Sequence, residues 1–200
     1  MPLISTLASS SARGLGGLGA SVVPADLSPF QSIMTTTVGT AQSTINFTAI
    51  PATFTHLQLR GIVRSSTSSG ADDIVFRFNS DTSAIYTGHQ TYGDGSGKSS
   101  NVTNGGLNKT SLNPAYISAN GAIAGAYGVL VIDIPDYANT NKYKVIRSLN
   151  GHDHNGGGYA LLRQGVWMSN TAVSSINLTL DSGSNFMQYS EIALYGIKGA

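Results

Sequence analysis

Cysteine is absent from the 200-residue chain, so neither disulfides nor thiolate-bound metal can hold its fold. Such a protein works in any redox environment. Charge is scarce as well. Charged side chains make up 10% of the residues and the net charge is +1, against roughly 25% charged residues in ordinary soluble domains. Nucleic-acid binding across a broad surface needs clustered Lys and Arg, which this chain lacks. Intrinsic disorder needs high net charge and few aromatics, whereas six Phe, nine Tyr and one Trp are present. Good helix formers are few: Glu191 is the only glutamate, and no window shows a 3.6-residue apolar stripe. No apolar run reaches membrane-spanning length. The start, Met1-Pro2-Leu3-Ile4-Ser5-Thr6-Leu7, has neither a basic n-region nor an unbroken apolar stretch, so no secretory signal is expected. No repeat of fixed period is visible.

What remains is a chain rich in Gly, Ser, Thr and Asn, with ample Val, Ile and Tyr, a balance that favours strands joined by polar loops. Its length suits one sizeable core and not two ordinary domains. Two regions are expected. Residues 1–30, with Ser9–Gly19 too glycine-rich for a helix, read as an extended N-terminal arm. Its leucines Leu3, Leu7, Leu15 and Leu18 suit attachment to a neighbouring subunit, and a plain disordered tail is the alternative. Residues 31–200 read as one β-sandwich domain. Apolar and polar residues alternate there with period 2, each run predicting a strand with one face inward. Ile45 and Phe47 alternate with Thr44, Asn46 and Thr48. Leu57 and Leu59 alternate with His56, Gln58 and Arg60. Ile74, Phe76 and Phe78 alternate with Val75 and Arg77. Tyr143 and Val145 alternate with Lys144 and Ile146, and Ile176, Leu178 and Leu180 with Asn177 and Thr179. Residues 159–168 and 191–197 complete the set. Val129-Leu130-Val131-Ile132 is apolar on both faces, which predicts a central strand or one covered by another subunit. Long interruptions are expected at 93–114 and 149–158. About nine strands at this spacing predict an all-β, antiparallel β-sandwich of the jelly-roll type.

Four sequence features invite a chemical reading, and each has a plainer one. Tyr92-Gly93-Asp94-Gly95-Ser96-Gly97-Lys98-Ser99 resembles a phosphate-binding loop, but Tyr92 stands where the pattern needs its first glycine. A loop tip is expected and no nucleotide. His152 and His154 would share one face of a strand and could chelate a metal. Only His56 and His89 remain as further histidines, so a solvated hairpin tip is expected there, with no catalytic metal. Asp72-Asp73, Asp94, Asp133 with Asp136, and Asp181 could supply the paired carboxylates of a glycosidase only if two faced each other across a cleft. No nucleophile signature appears. The expectation is therefore no catalytic residue, no cofactor and no enzyme. The sequons at Asn46, Asn101, Asn108 and Asn177 are explained by chance in so Asn- and Thr-rich a chain.

The segments Leu180-Asp181-Ser182-Gly183-Ser184-Asn185-Phe186 and Ser190-Glu191-Ile192-Ala193-Leu194-Tyr195-Gly196-Ile197 resemble the closing strand of small β-sandwich virion proteins of tailed bacteriophages. The arm Ser11-Ala12-Arg13-Gly14-Leu15-Gly16 and the strand Phe54-Thr55-His56-Leu57-Gln58-Leu59-Arg60 fit the same families. The resemblance implies a non-enzymatic virion structural protein, made in the host cytoplasm. Its place would be a tail- or head-fibre or other appendage subunit. A capsid decoration (cement) protein is the structural alternative. The resemblance also implies a homo-oligomer, a trimer, held to other virion proteins through the arm. A different class of function is a carbohydrate-binding module for host recognition, with Tyr86, Tyr92, Tyr116, Tyr159 and Trp167 as candidate platforms. Neither nucleic acid nor membrane is an expected partner.

Overall fold

The computed structural model describes residues 28–103 and 106–199. Most of the expected arm, residues 1–27, lies outside the described residues. Twelve strands form: β1 (Phe30–Thr37), β2 (Ile45–Phe47), β3 (His56–Ser65), β4 (Ala71–Phe78), β5 (Tyr86–Gly93), β6 (Lys98–Val102), β7 (Leu112–Ala119), β8 (Gly128–Pro135), β9 (Lys144–Asp153), β10 (Gly158–Trp167), β11 (Ile176–Leu180) and β12 (Glu191–Ile197).

The pairing is that of a jelly roll, an eight-stranded ribbon folded back on itself. β1 pairs with β12, β2 with β11, β3 with β8 and β4 with β7, all antiparallel. One layer is β2-β11-β4-β7. The other is β1-β12-β3-β8, and it continues through β9-β10-β5-β6 to eight strands. The extension consists of two hairpins, β5–β6 and β9–β10, inserted into the jelly-roll ribbon. The layers join at one short parallel contact, where Arg64 and Ser65 of β3 lie beside Ser118 and Ala119 of β7. That contact is the only departure from antiparallel pairing among the described strands.

The core between the layers follows from the alternation. Leu57 and Leu59 of β3, Ile74, Phe76 and Phe78 of β4, Leu130, Ile132 and Ile134 of β8, and Ile176, Leu178 and Leu180 of β11 are all buried. Trp167 stacks near Tyr86 and Phe78, with ring centroids 6.2 and 5.4 Å away. Tyr86 and Trp167, two of the five candidate platforms, are therefore core residues. Close packing requires glycine at one position in particular: a Cβ on Gly61 would sit 2.7 Å from the Glu191 carbonyl of β12.

Three other expectations change. The interruption at 149–158 is mostly strand, because β9 runs to Asp153 and β10 begins at Gly158. The interruption at 93–114 contains β6 and the start of β7. In β9 the buried side is Lys144, Ile146, Ser148, Asn150 and His152, while Tyr143, Val145 and Leu149 are exposed. The apolar side of that strand faces out.

Candidate functional site: a groove under the overhanging sheet

The inverted polarity of β9 has a physical cause. β7 closes its layer, and apart from its short junction with β3 its outer edge carries backbone groups with no neighbouring strand. That edge abuts the inner face of the longer layer, and side chains of β9 and β10 satisfy it. Asn150 Oδ1 accepts from the Tyr116 N–H at 2.9 Å, and Asn150 Nδ2 donates to the Pro114 carbonyl at 3.0 Å. Ser148 Oγ donates to the same carbonyl at 2.5 Å. Arg163 Nη1 donates to the Asn113 carbonyl at 2.9 Å, and His152 Nδ1 lies 3.3 Å from the Tyr116 carbonyl. The side-chain amide of Asn150 thus stands in for a partner strand, which resolves an otherwise costly buried edge.

Because one layer has eight strands and the other four, β10, β5 and β6 project beyond β7. A groove lies beneath the overhang. Its roof comes from β10 (Tyr159, Leu161, Arg163) and β5 (Gln90, Tyr92). Its wall is the outward side of the smaller layer: Tyr116, between core-facing Ala115 and Ile117, and Asp73, beside core-facing Ile74. Tyr116 and Asp73 are cross-strand partners. The rings meet edge to face, Tyr92 and Tyr159 at 5.7 Å, Tyr116 and Tyr159 at 5.4 Å, Tyr116 and His152 at 5.3 Å. The Arg163 guanidinium lies 5.9 Å from the Tyr116 ring centre and forms an ion pair with Asp73.

The electrostatics follow from burial and neighbours. Burial pushes the Asp73 carboxyl up, the Arg163 charge pulls it down, and Asp181 and Asp72 push it up again; the net direction is up. Burial also holds His152 below its ordinary value of 6.5, and His154 adds to this against the Tyr116 carbonyl and Asp153. His152 is neutral at pH 7 as a result. Burial and the Asp73 charge raise the Tyr116 hydroxyl. Several polar atoms here are buried without a protein partner: Gln90 Oε1, Asn113 Oδ1, Arg163 Nε, His152 Nε2 and His154 Nδ1.

Some of the residues singled out by sequence lie around this groove and others do not. The Tyr92–Ser99 stretch is the β5–β6 turn, in which Asp94 Oδ1 accepts from Ser96 and Gly97 N–H at 2.9 and 2.8 Å. Lys98 begins β6. His152 and His154 do share a face, but their rings stack 5.5 Å apart, and no three of His, Cys, Asp and Glu cluster as a metal set among the described residues. Asp72 is bound by the hydroxyls of Ser65 and Ser182, both on Oδ2. Asp133 binds Gln58 and Arg147, and Asp136 binds Lys142. These carboxylates are engaged in structural contacts. Three of the five aromatic candidates, Tyr92, Tyr116 and Tyr159, come together. Sequence reasoning missed Arg163, Gln90 and Asn150; an arginine and an asparagine at inward positions of adjacent strands were the only available signal.

Fold and groove together define, among the described residues, a jelly-roll sandwich with a tyrosine-lined cleft beside a partly buried ion pair. Protein-family models and curated protein sequences give no match to the chain. Among solved structures, the galectin LEC-6 of Caenorhabditis elegans is similar over 79% of this chain and 92% of its own, at 11% identity and a TM-score of 0.29. A likeness that slight carries no argument about function.

Proposed function

We propose that the protein is a non-enzymatic subunit on the surface of a tailed-bacteriophage particle, a fibre or other appendage subunit that assembles with further copies of itself. The observation that carries this reading is an apolar band on the outer face of the eight-stranded layer. Ile62 of β3, Val129 of β8, Leu149 of β9 and Leu162 of β10 are 54%, 55%, 64% and 51% exposed. Cross-strand register joins them: Ile62 faces Val129, Leu149 faces Val131, and Leu149 faces Leu162. A solvated sheet face is normally polar, and contiguous exposed apolar surface marks a contact site. Flanking pairs such as Arg147–Asp133 supply a polar rim, as interfaces do. The low net charge leaves little repulsion between copies. The resemblance of the chain's two ends to phage virion proteins supplies the setting, and with it a trimer anchored through residues 1–30.

Mass spectrometry of purified particles tests the setting. A few dozen copies or fewer support an appendage, hundreds support a capsid cement role, and absence from the particle overturns the proposal. Light scattering of the L149D/L162D double variant tests the assembly. A folded monomer is expected, and an unchanged oligomer refutes the role of the band.

A further inference from the structure

We infer that the groove between the overhanging sheet and the smaller layer is a binding site for a neutral hexopyranose, with Tyr92, Tyr116 and Tyr159 as its aromatic lining and Asp73, Gln90 and Arg163 as its polar lining. This site is separate from the apolar band, and the inference does not depend on where the protein resides.

The size and lining of the groove limit what it can hold. Its inner cleft has a volume of about 230 Å³, small against the roughly 300–1,000 Å³ of drug-sized pockets, which limits the occupant to about one ring. An adjoining cleft of about 360 Å³ shares Tyr116 and Tyr159 and opens toward His152 and His154, which gives a second ring room to follow. Tyr92, Tyr116 and Tyr159 line the cleft and pack edge to face on one another at 62° and 73°, an aromatic lining suited to the apolar C–H face of a pyranose. Asp73 of the wall and Arg163 of the roof offer an acceptor carboxylate joined to a donor guanidinium, the complement of adjacent hydroxyls, which both donate and accept. Arg163 Nε and Gln90 Oε1 in the roof are buried without a protein partner, so a side-chain adjustment would let sugar hydroxyls engage them.

Charge decides between neutral and acidic sugars. The Arg163 charge is already matched by Asp73, and Asp72 and Asp181 lie close enough to raise the Asp73 carboxyl. His152 adds no positive charge at neutral pH. Among the described residues lining the inner cleft, Arg163 is the only lysine or arginine and it is already paired, so sialylated, sulfated and uronate sugars are disfavoured. Nucleotides are excluded on the same ground.

The test applies the full chain to an array of unsubstituted gluco-, galacto- and manno-oligosaccharides printed beside sialylated and uronate-bearing ones, followed by calorimetry on the best neutral sugar. We expect binding to neutral sugars alone. Tyr92→Ala and Tyr159→Ala should each weaken it at least tenfold, while Tyr159→Phe, which keeps the ring, should stay within about threefold. Trp167 lies in the core, so its fluorescence reports whether each variant is folded. No binding by the folded protein to any neutral sugar overturns the inference. So does binding confined to acidic sugars, or full affinity in a folded Y92A/Y159A double variant.

Discussion

If Asn150 serves as a surrogate strand for β7, replacing it with aspartate should be costly in a pH-dependent way. The substitution Asn150→Asp keeps size and shape. The carboxylate can still accept from the Tyr116 N–H, but it cannot donate to the Pro114 carbonyl, which now faces a negative oxygen in place of Nδ2. The site is 4% exposed, and no basic side chain hydrogen-bonds Asn150. Leaving a buried charge uncompensated costs about 3–5 kcal/mol. For a domain of this size each kcal/mol lowers Tm by roughly 2–4 °C, so a fall on the order of 10 °C is expected at pH 7. Acid should restore much of the loss. Burial raises the introduced carboxyl above its unfolded value near 3.9, so the folded variant takes up its proton first, and its deficit shrinks as pH falls through the raised value. Once protonated, the new O–H can donate to Pro114. Urea denaturation followed by Trp167 fluorescence at pH 7 and pH 5 measures both quantities. A loss below about 1 kcal/mol, or one that does not change with pH, would show that β7 does not depend on this amide.

The other expectations concern separate parts of the fold. Wild-type stability should decline as pH drops below the ordinary His152 value of 6.5, because the unfolded chain takes up a proton that the buried, neutral imidazole resists. His152→Gln should flatten that slope in denaturation curves between pH 7 and 5, and an unchanged slope would place its origin elsewhere. Lys144 is 1% exposed, and its ammonium donates to the Asn139, Lys142 and Asn170 carbonyls. Lys144→Met should therefore cost about 2–4 kcal/mol through acceptors left unpaired, read as a lowered denaturation midpoint; a neutral effect would refute that role. Gly61→Val should disrupt the β3–β12 pairing, with a loss of about 1–3 kcal/mol from overpacking, visible as a lower melting temperature in calorimetry.

Where strands are buried on one face against the core, the alternation was readable directly. Leu57 and Leu59, Ile74 to Phe78, and Ile176 to Leu180 all point inward as period 2 predicts. Strand number suggests the jelly-roll class, but the pairing is seen only in the structure, and the register follows from the two layers closing on that apolar set. The hairpin β5–β6 was not readable. Its strands carry residues such as His89, Thr91, Ser100 and Asn101 because β6 and the outer face of β5 meet solvent, so no apolar alternation marks them. β7 was hidden for a related reason: Pro114 interrupts its pattern, a residue tolerated only where the ladder is incomplete.

β9 shows why the groove had to come from three dimensions. Its sequence alternation is clear, yet which side is inward depends on what the inner side must touch. A β7 edge needs donors and acceptors, so Ser148, Asn150 and His152 face in, and Val145 and Leu149 are left facing out. The same inversion therefore bears on both surfaces of interest. On the inner side it holds the edge of the short layer against the long one, which leaves Tyr116 and Asp73 facing Tyr159 and Arg163 across a cleft. On the outer side it places Leu149 beside Leu162 and Val131 in the apolar band. A strand with ordinary polarity would have left β7 with unpaired backbone groups and the outer face polar. Edge capping by Ser148, Asn150 and His152 and the place of Leu149 in the apolar band thus follow from a single choice of register on β9, and a one-residue slip there would remove both.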